Sequence, residues 1–105
     1  MNQIVKTKKE LIDQILANQM KIQSFGVKKI GIFGSFVRDE AEEDSDVDFF
    51  IEFKPEYKTL GNFVGLANYL RTILGRKAEI VTPQSLNKFI GKYIVKEVEY
   101  VPIAA

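Results

Sequence analysis

The 105-residue chain contains no cysteine, no histidine and no tryptophan. The first two absences exclude a disulfide framework, a Cys/His zinc site and any Ser–His or Cys–His nucleophile pair. Catalysis by this chain would have to rest on carboxylates, Lys, Arg, Ser, Thr or Tyr. No run of about 18 uncharged apolar residues occurs, so no membrane span is expected. With no signal-peptide pattern either, the expected location is cytoplasmic. Hydrophobic residues make up 46% and charged residues 28%, a balance typical of globular rather than disordered chains. The length suits one domain over residues 1–105.

A formal charge of +1 conceals a segregation. Residues 1–30 carry six Lys against Glu10 and Asp13, a balance of +4. Residues 31–56 carry Arg38 and Lys54 against nine acids, a balance of −7, and residues 57–105 return to +4. The slight overall basicity gives no ground for direct nucleic-acid binding. The acidic centre is the feature that needs a reason.

Periodicity orders the chain as alternating helices and strands. Thr7-Lys8-Lys9-Glu10 has the spacing of a capping box. Leu11, Ile12, Ile15, Leu16, Met20 and Ile22 then follow a near-helical period, so a first helix is expected from Lys8 to Phe25, closed by Gly26. Ile30-Gly31-Ile32-Phe33 reads as a buried strand, and Phe36 to about Glu42 as a short helix. Asp46 to Phe53 alternates, with Val47, Phe49, Ile51 and Phe53 on one face. A second long helix is expected over 60–74, a third strand over 77–82, and a last helix over 84–97 with Leu86, Phe89, Ile90, Tyr93 and Ile94 as its buried stripe. Residues 99–103 read as extended. The expected architecture is a small α/β (α+β) domain, a few-stranded mixed sheet flanked by helices. Phe36, Phe49, Phe50 and Phe53 are expected in its core.

Two features bear chemistry. Gly34-Ser35 sits where a strand meets a short helix, a junction whose unpaired N–H groups favour an anion such as phosphate; most Gly-Ser pairs are plain turns. In Ser45-Asp46-Val47-Asp48, the carboxylates at i and i+2 project from one face of a strand, with Cα atoms roughly 6–7 Å apart. Their repulsion disfavours the strand. Mg²⁺, typically held by one or two carboxylates together with substrate phosphates, would relieve it. A solvated edge strand is the plain alternative for the Asp-x-Asp pair alone.

Taken in order, Gly34-Ser35-x-x-Arg38 and, after six residues, Ser45-Asp46-x-Asp48 form a far more specific pattern. The stretch GIFGSFVRDEAEEDSDVDFFIEF resembles the signature of the minimal nucleotidyltransferase (MNT) family, within the DNA polymerase β-like nucleotidyltransferase superfamily. The likeness in element order extends over nearly the whole chain. It implies that Gly34, Ser35, Arg38 and Ser45 bind the nucleotide, with Gly34 and Ser35 at the β/γ-phosphates and Arg38 facing the phosphates or supporting the acidic loop. It also implies that Asp46 and Asp48 bind catalytic Mg²⁺, with two ions and ATP as substrate. Glu79, in KAEIV, matches the family's third acid, which completes the metal site or deprotonates the acceptor hydroxyl. Two departures stand out: the third acid is commonly Asp, and Asp39 follows Arg38 where Gly is frequent.

Small members of this kind resemble the antitoxin of HEPN/MNT toxin–antitoxin pairs. The implied function is transfer of AMP from ATP to a protein hydroxyl, a tyrosine of a cognate HEPN-type toxin. Two alternatives stay open: an inactive member that neutralises its partner by binding, and nucleotidyl transfer to a small molecule. A homo-oligomer is compatible with either.

Overall fold

The computed structural model describes residues 4–85 and 88–103, and of residues 88–90 only the backbone. Helix α1 spans Lys8–Ala17, opened by the expected capping box: Glu10 N–H donates to Thr7 Oγ1 at 3.1 Å, and Thr7 N–H to Glu10 Oε1 at 3.1 Å. The first helix does not continue to Phe25. It breaks at Asn18 (φ −113°, ψ 17°), and α2 resumes over Gln19–Ser24. The break has a side-chain cause. Asn18 Nδ2 donates to Gln14 O at 2.8 Å, while its Oδ1 accepts from Tyr69 Oη at 2.9 Å. An Asn that bonds locally to the backbone competes with helix propagation.

Strand β1 (Val27–Phe33) and strand β2 (Val47–Phe53) pair antiparallel. Helix α3 (Leu60–Leu74) carries the chain to β3 (Ala78–Val81), which lies parallel to β2. Helix α4 (Lys88–Glu97) leads into β4 (Glu99–Tyr100), antiparallel to β1. The strand order is β3-β2-β1-β4, a mixed four-stranded sheet in an α+β domain.

One face of this sheet is the core. Ile30, Ile32, Val47, Phe49, Ile51 and Phe53 pack with Leu11, Ile15 and Ile22 of α1 and α2 and with Leu66, Leu70 and Leu74 of α3. Burial of such side chains contributes about 1.5–3 kcal/mol each, which outweighs the strand cost of the neighbouring acids. The four expected core phenylalanines are all buried, Phe50 from the opposite face. That second face carries Gly31 and Phe33 of β1, Asp48 and Phe50 of β2, and Glu79 of β3, placed together by strand register. Phe50 meets Tyr100 there, ring centroids 6.5 Å apart.

Two further expectations need correction. The helix expected from Phe36 to Glu42 is only a 3₁₀ turn over Gly34–Phe36. Asp39 turns left-handed at φ 59°, and Glu40 N–H closes back on Ser35 O at 2.8 Å. A run of acids at what would be a helix C-terminus opposes the helix dipole. Tyr93 is not part of a buried stripe but 77% exposed: the inward line of α4 runs through Gly91 and Ile94 instead. Leu86 lies outside the described residues, and the side chains of Phe89 and Ile90 are not described.

Candidate active site

The acids come together through strand register. Asp48 of β2 and Glu79 of β3 are direct neighbours in the parallel ladder. Asp46 lies two residues before Asp48, just ahead of β2, and both are half-buried while Glu79 is exposed. Partial burial pushes the Asp48 carboxyl up to about 6, helped first by the charge and hydrogen bond of Glu79 and then by the charge of Asp46, with Arg38 opposing. Crowding of like charges favours the protonated carboxyl, and a cation bound beside it would oppose that shift. Among the described residues no three acids converge into a closed metal cage. The donor set nonetheless fits Mg²⁺, which takes one or two carboxylates and completes its shell with phosphate oxygens and water.

The Gly34–Ser35 turn lies beside these acids. Gly34 adopts φ 78°, and a Cβ built on it would lie 2.2 Å from Asp48 Oδ2. The residue is therefore glycine for two reasons, backbone conformation and contact with the carboxylate. Its carbonyl accepts from Val37 N–H at 3.1 Å and Arg38 N–H at 3.2 Å, which coils the turn. A helix dipole adds little here, because the turn is three residues long; an anion at the turn would rely on local N–H groups and side chains. Ser35 is half-buried, and its hydroxyl has no hydrogen-bond partner among the described residues. Gly34 N–H donates to Glu97 Oε1 at the end of α4. Arg38 is held by two acids, Nε to Glu40 Oε2 at 3.2 Å and Nη1 to Glu97 Oε1 at 2.7 Å.

Ser45 belongs to the loop before β2: its Oγ accepts from Glu42 N–H at 2.8 Å, and its own N–H donates to Glu42 O at 3.1 Å. That loop is anchored by a residue sequence patterning passes over. Arg76 Nη1 donates to the carbonyls of Glu42 (2.8 Å), Glu43 (3.0 Å) and Ser45 (2.9 Å), and Nε donates to Val5 O at 2.6 Å. The Arg76 guanidinium carbon also lies 5.2 Å from the centre of the Phe36 ring, within cation–π range. Arg76 thus joins the Gly34–Phe36 turn to the segment that delivers Asp46. A lone Arg after a helix-ending glycine carries no local signal of this, because its partners are backbone carbonyls far away in sequence.

Seven of the nine acids of the central segment separate into two groups. Asp46 and Asp48 lie at the start of β2 and are half-buried, whereas Asp39, Glu40, Glu42, Glu43 and Asp44 are exposed.

A family model described as a nucleotidyltransferase domain matches residues 9–101. The protein adenylyltransferase MntA of Thermococcus cleftensis is 44% identical over 94 residues, covering 88% of this chain and 94% of that protein. A Methanocaldococcus jannaschii protein, provisionally assigned as a protein adenylyltransferase, is 37% identical over 94 residues, 86% of this chain and 94% of that one. A solved structure provisionally assigned as a minimal nucleotidyltransferase matches with a TM-score of 0.78 at 26% identity, covering 90% of this chain and 95% of that one. A toxin–antitoxin crystal structure with AMP-PNP shares the fold at a TM-score of 0.65 and 19% identity, over 89% of this chain and 73% of that one.

Proposed function

This chain belongs to the nucleotidyltransferase domain family, and from that membership we propose that it transfers AMP from ATP to a hydroxyl of a partner protein. The partner in this reading is a HEPN-type toxin, and the modified hydroxyl that of a tyrosine, so that the chain acts as an antitoxin. The observation that carries the reading is the contact of the Gly34–Ser35 turn with the Asp48–Glu79 pair, in a chain 44% identical to a protein adenylyltransferase.

In this reading Asp46 and Asp48 hold Mg²⁺, with Glu79 at the edge of the site. Ser35 and Arg38 face the β- and γ-phosphates, and Ser45 supports the site through its loop. Mg²⁺ held by Asp46 and Asp48 would supply charge that lowers the pKa of the attacking hydroxyl and offsets that of the departing pyrophosphate. The acceptor oxygen attacks the α-phosphorus, its proton passes to Glu79, and the bond to the β-phosphate oxygen breaks in line, releasing pyrophosphate. The protein's share is mainly positioning and charge compensation. Its lack of histidine is no obstacle, because a carboxylate serves as the proton acceptor.

Transfer of label from [α-³²P]ATP tests this. In Mg²⁺, label is expected on a HEPN-type partner protein with the natural chain and not with Asp48→Ala. Absence of transfer by the natural chain, or equal transfer by both, overturns it. A second reading, neutralisation by binding alone, draws on the exposure of Glu79 and the lack of a closed acid cage among the described residues. It requires an Asp46→Ala/Asp48→Ala chain to protect cells fully.

A further inference from the structure

Glu97 lies 63 residues from Gly34 in sequence, yet one of its oxygens, Oε1, accepts from both the Gly34 N–H and Arg38 Nη1. We infer that Glu97, through this shared oxygen, is the positioning residue of the phosphate-binding turn, so that the end of α4 belongs to the nucleotide site. The inference rests on the nucleotide reading above and extends it to a part of the chain outside the signature stretch.

Three observations carry it. The first is chemical: a carboxylate oxygen that takes a backbone N–H and a guanidinium N–H makes two charge-assisted bonds, each stronger than a neutral one. The Glu97 side chain is only 27% exposed, which limits competition from water. The second is that the end of α4 is fixed where it stands. A Cβ at Gly31 would lie 2.5 Å from Val98 Cγ1, so that glycine admits the segment against β1. The next residues complete the ladder, with Glu99 opposite Ile32 and Tyr100 opposite Gly31. Glu97 is thus presented by a docked backbone rather than by a free end. The third is the orientation of Arg38. Its Nε and Nη1 are taken by Glu40 and Glu97, while Nη2 has no partner among the described residues. Two carboxylates hold the planar fork and leave that nitrogen for a phosphate oxygen.

A carboxylate on these two donors has a contrary interpretation, that of an anion occupying the phosphate position until ATP displaces it. The two predict opposite effects of removing it. Calorimetric titration of the full chain with ATP, ADP and AMP in Mg²⁺ decides between them. For Glu97→Ala we expect ATP affinity to fall about tenfold while AMP affinity stays within about twofold, the size and direction expected from losing charge-assisted support at the phosphates. Glu97→Gln, which keeps an oxygen acceptor but not its charge, is expected to recover part of the loss. Adding Glu97→Ala to Arg38→Ala is expected to cost less ATP affinity than Glu97→Ala costs the natural chain, because part of the effect of Glu97 passes through Arg38 and the rest through the Gly34 N–H. Unchanged or tighter ATP binding by Glu97→Ala, or an equal loss for ATP and AMP, overturns the inference. A natural chain that binds no ATP overturns the nucleotide reading and this inference with it.

Discussion

Gly34 touches the carboxylate of Asp48: a single methyl group on its Cα would lie 2.2 Å from Oδ2. The turn proposed to bind the phosphates and the strand proposed to bind the metal are therefore in contact. In a phosphoryl-transfer site this is useful geometry, because a triphosphate bridged to metal must touch both at once.

Gly34→Ala is accordingly expected to fail twice over. Its backbone would be held at φ 78°, where an L-residue costs about 1–2 kcal/mol, and its methyl would push Asp48 aside. ATP binding in Mg²⁺ should be lost by calorimetry, with a stability loss on the order of 1–3 kcal/mol by urea denaturation. Natural-strength binding by the variant would contradict the contact.

The acid crowd predicts a pH dependence. Asp48 titrates at about 6 in the folded chain against an ordinary 3.8, so folding favours its protonated form. The associated stability is complete below about pH 4 and lost as pH rises through 6. Asp48→Asn, neutral throughout, should raise the melting temperature of metal-free protein at pH 7.5 by a few degrees, on the order expected for a partly solvated carboxylate. At pH 4 it should make no difference. A scan in EDTA at both pH values checks this, and a lower melting temperature for the variant at pH 7.5 would falsify it.

Arg76 predicts a local effect. Its Nη1 bonds to three carbonyls of residues 42–45 tie the acidic loop to the rest of the fold. Arg76→Met should speed amide hydrogen exchange across residues 42–46 and cost about 1–3 kcal/mol. Arg76→Lys should restore less than half of that, because an ammonium cannot reproduce the planar fork. Full protection in Arg76→Met would show that the loop is held otherwise.

Asp39 predicts a gain. It is the one non-glycine residue at positive φ (59°) among the described residues. Asp39→Gly should stabilise the chain by roughly 0.5–1 kcal/mol by relieving that conformation. Chemical denaturation measures the change, and a loss of stability would count against the assigned strain.

How far the fold was readable depended on the range of the forces involved. The α1 capping box and the 60–74 helix were legible because caps and 3.6-residue periodicity act within a few residues. The alternation of Val47, Phe49, Ile51 and Phe53 likewise announced which face of β2 is buried. The break at Asn18 was not legible, since it depends on Tyr69 donating from α3. Nor was the exposure of Tyr93, whose apolar spacing fits a helix face equally well whichever way the helix turns.

By itself, the sequence determined the types of chemical group and their order: a Gly-Ser turn, an Arg, then paired aspartates, with no histidine or cysteine to suggest other chemistry. Those are properties of composition and local spacing. Tertiary structure alone decided that Glu79 stands beside Asp48, that Arg76 secures the loop before Asp46, and that Glu97 reaches Gly34 and Arg38. Each of these is a contact between distant segments, made possible when the sheet pairs β2 with β3 and β1 with β4. The contacts of Arg76 and Glu97 also use backbone donors or acceptors that every residue possesses, so no residue type marks them in advance.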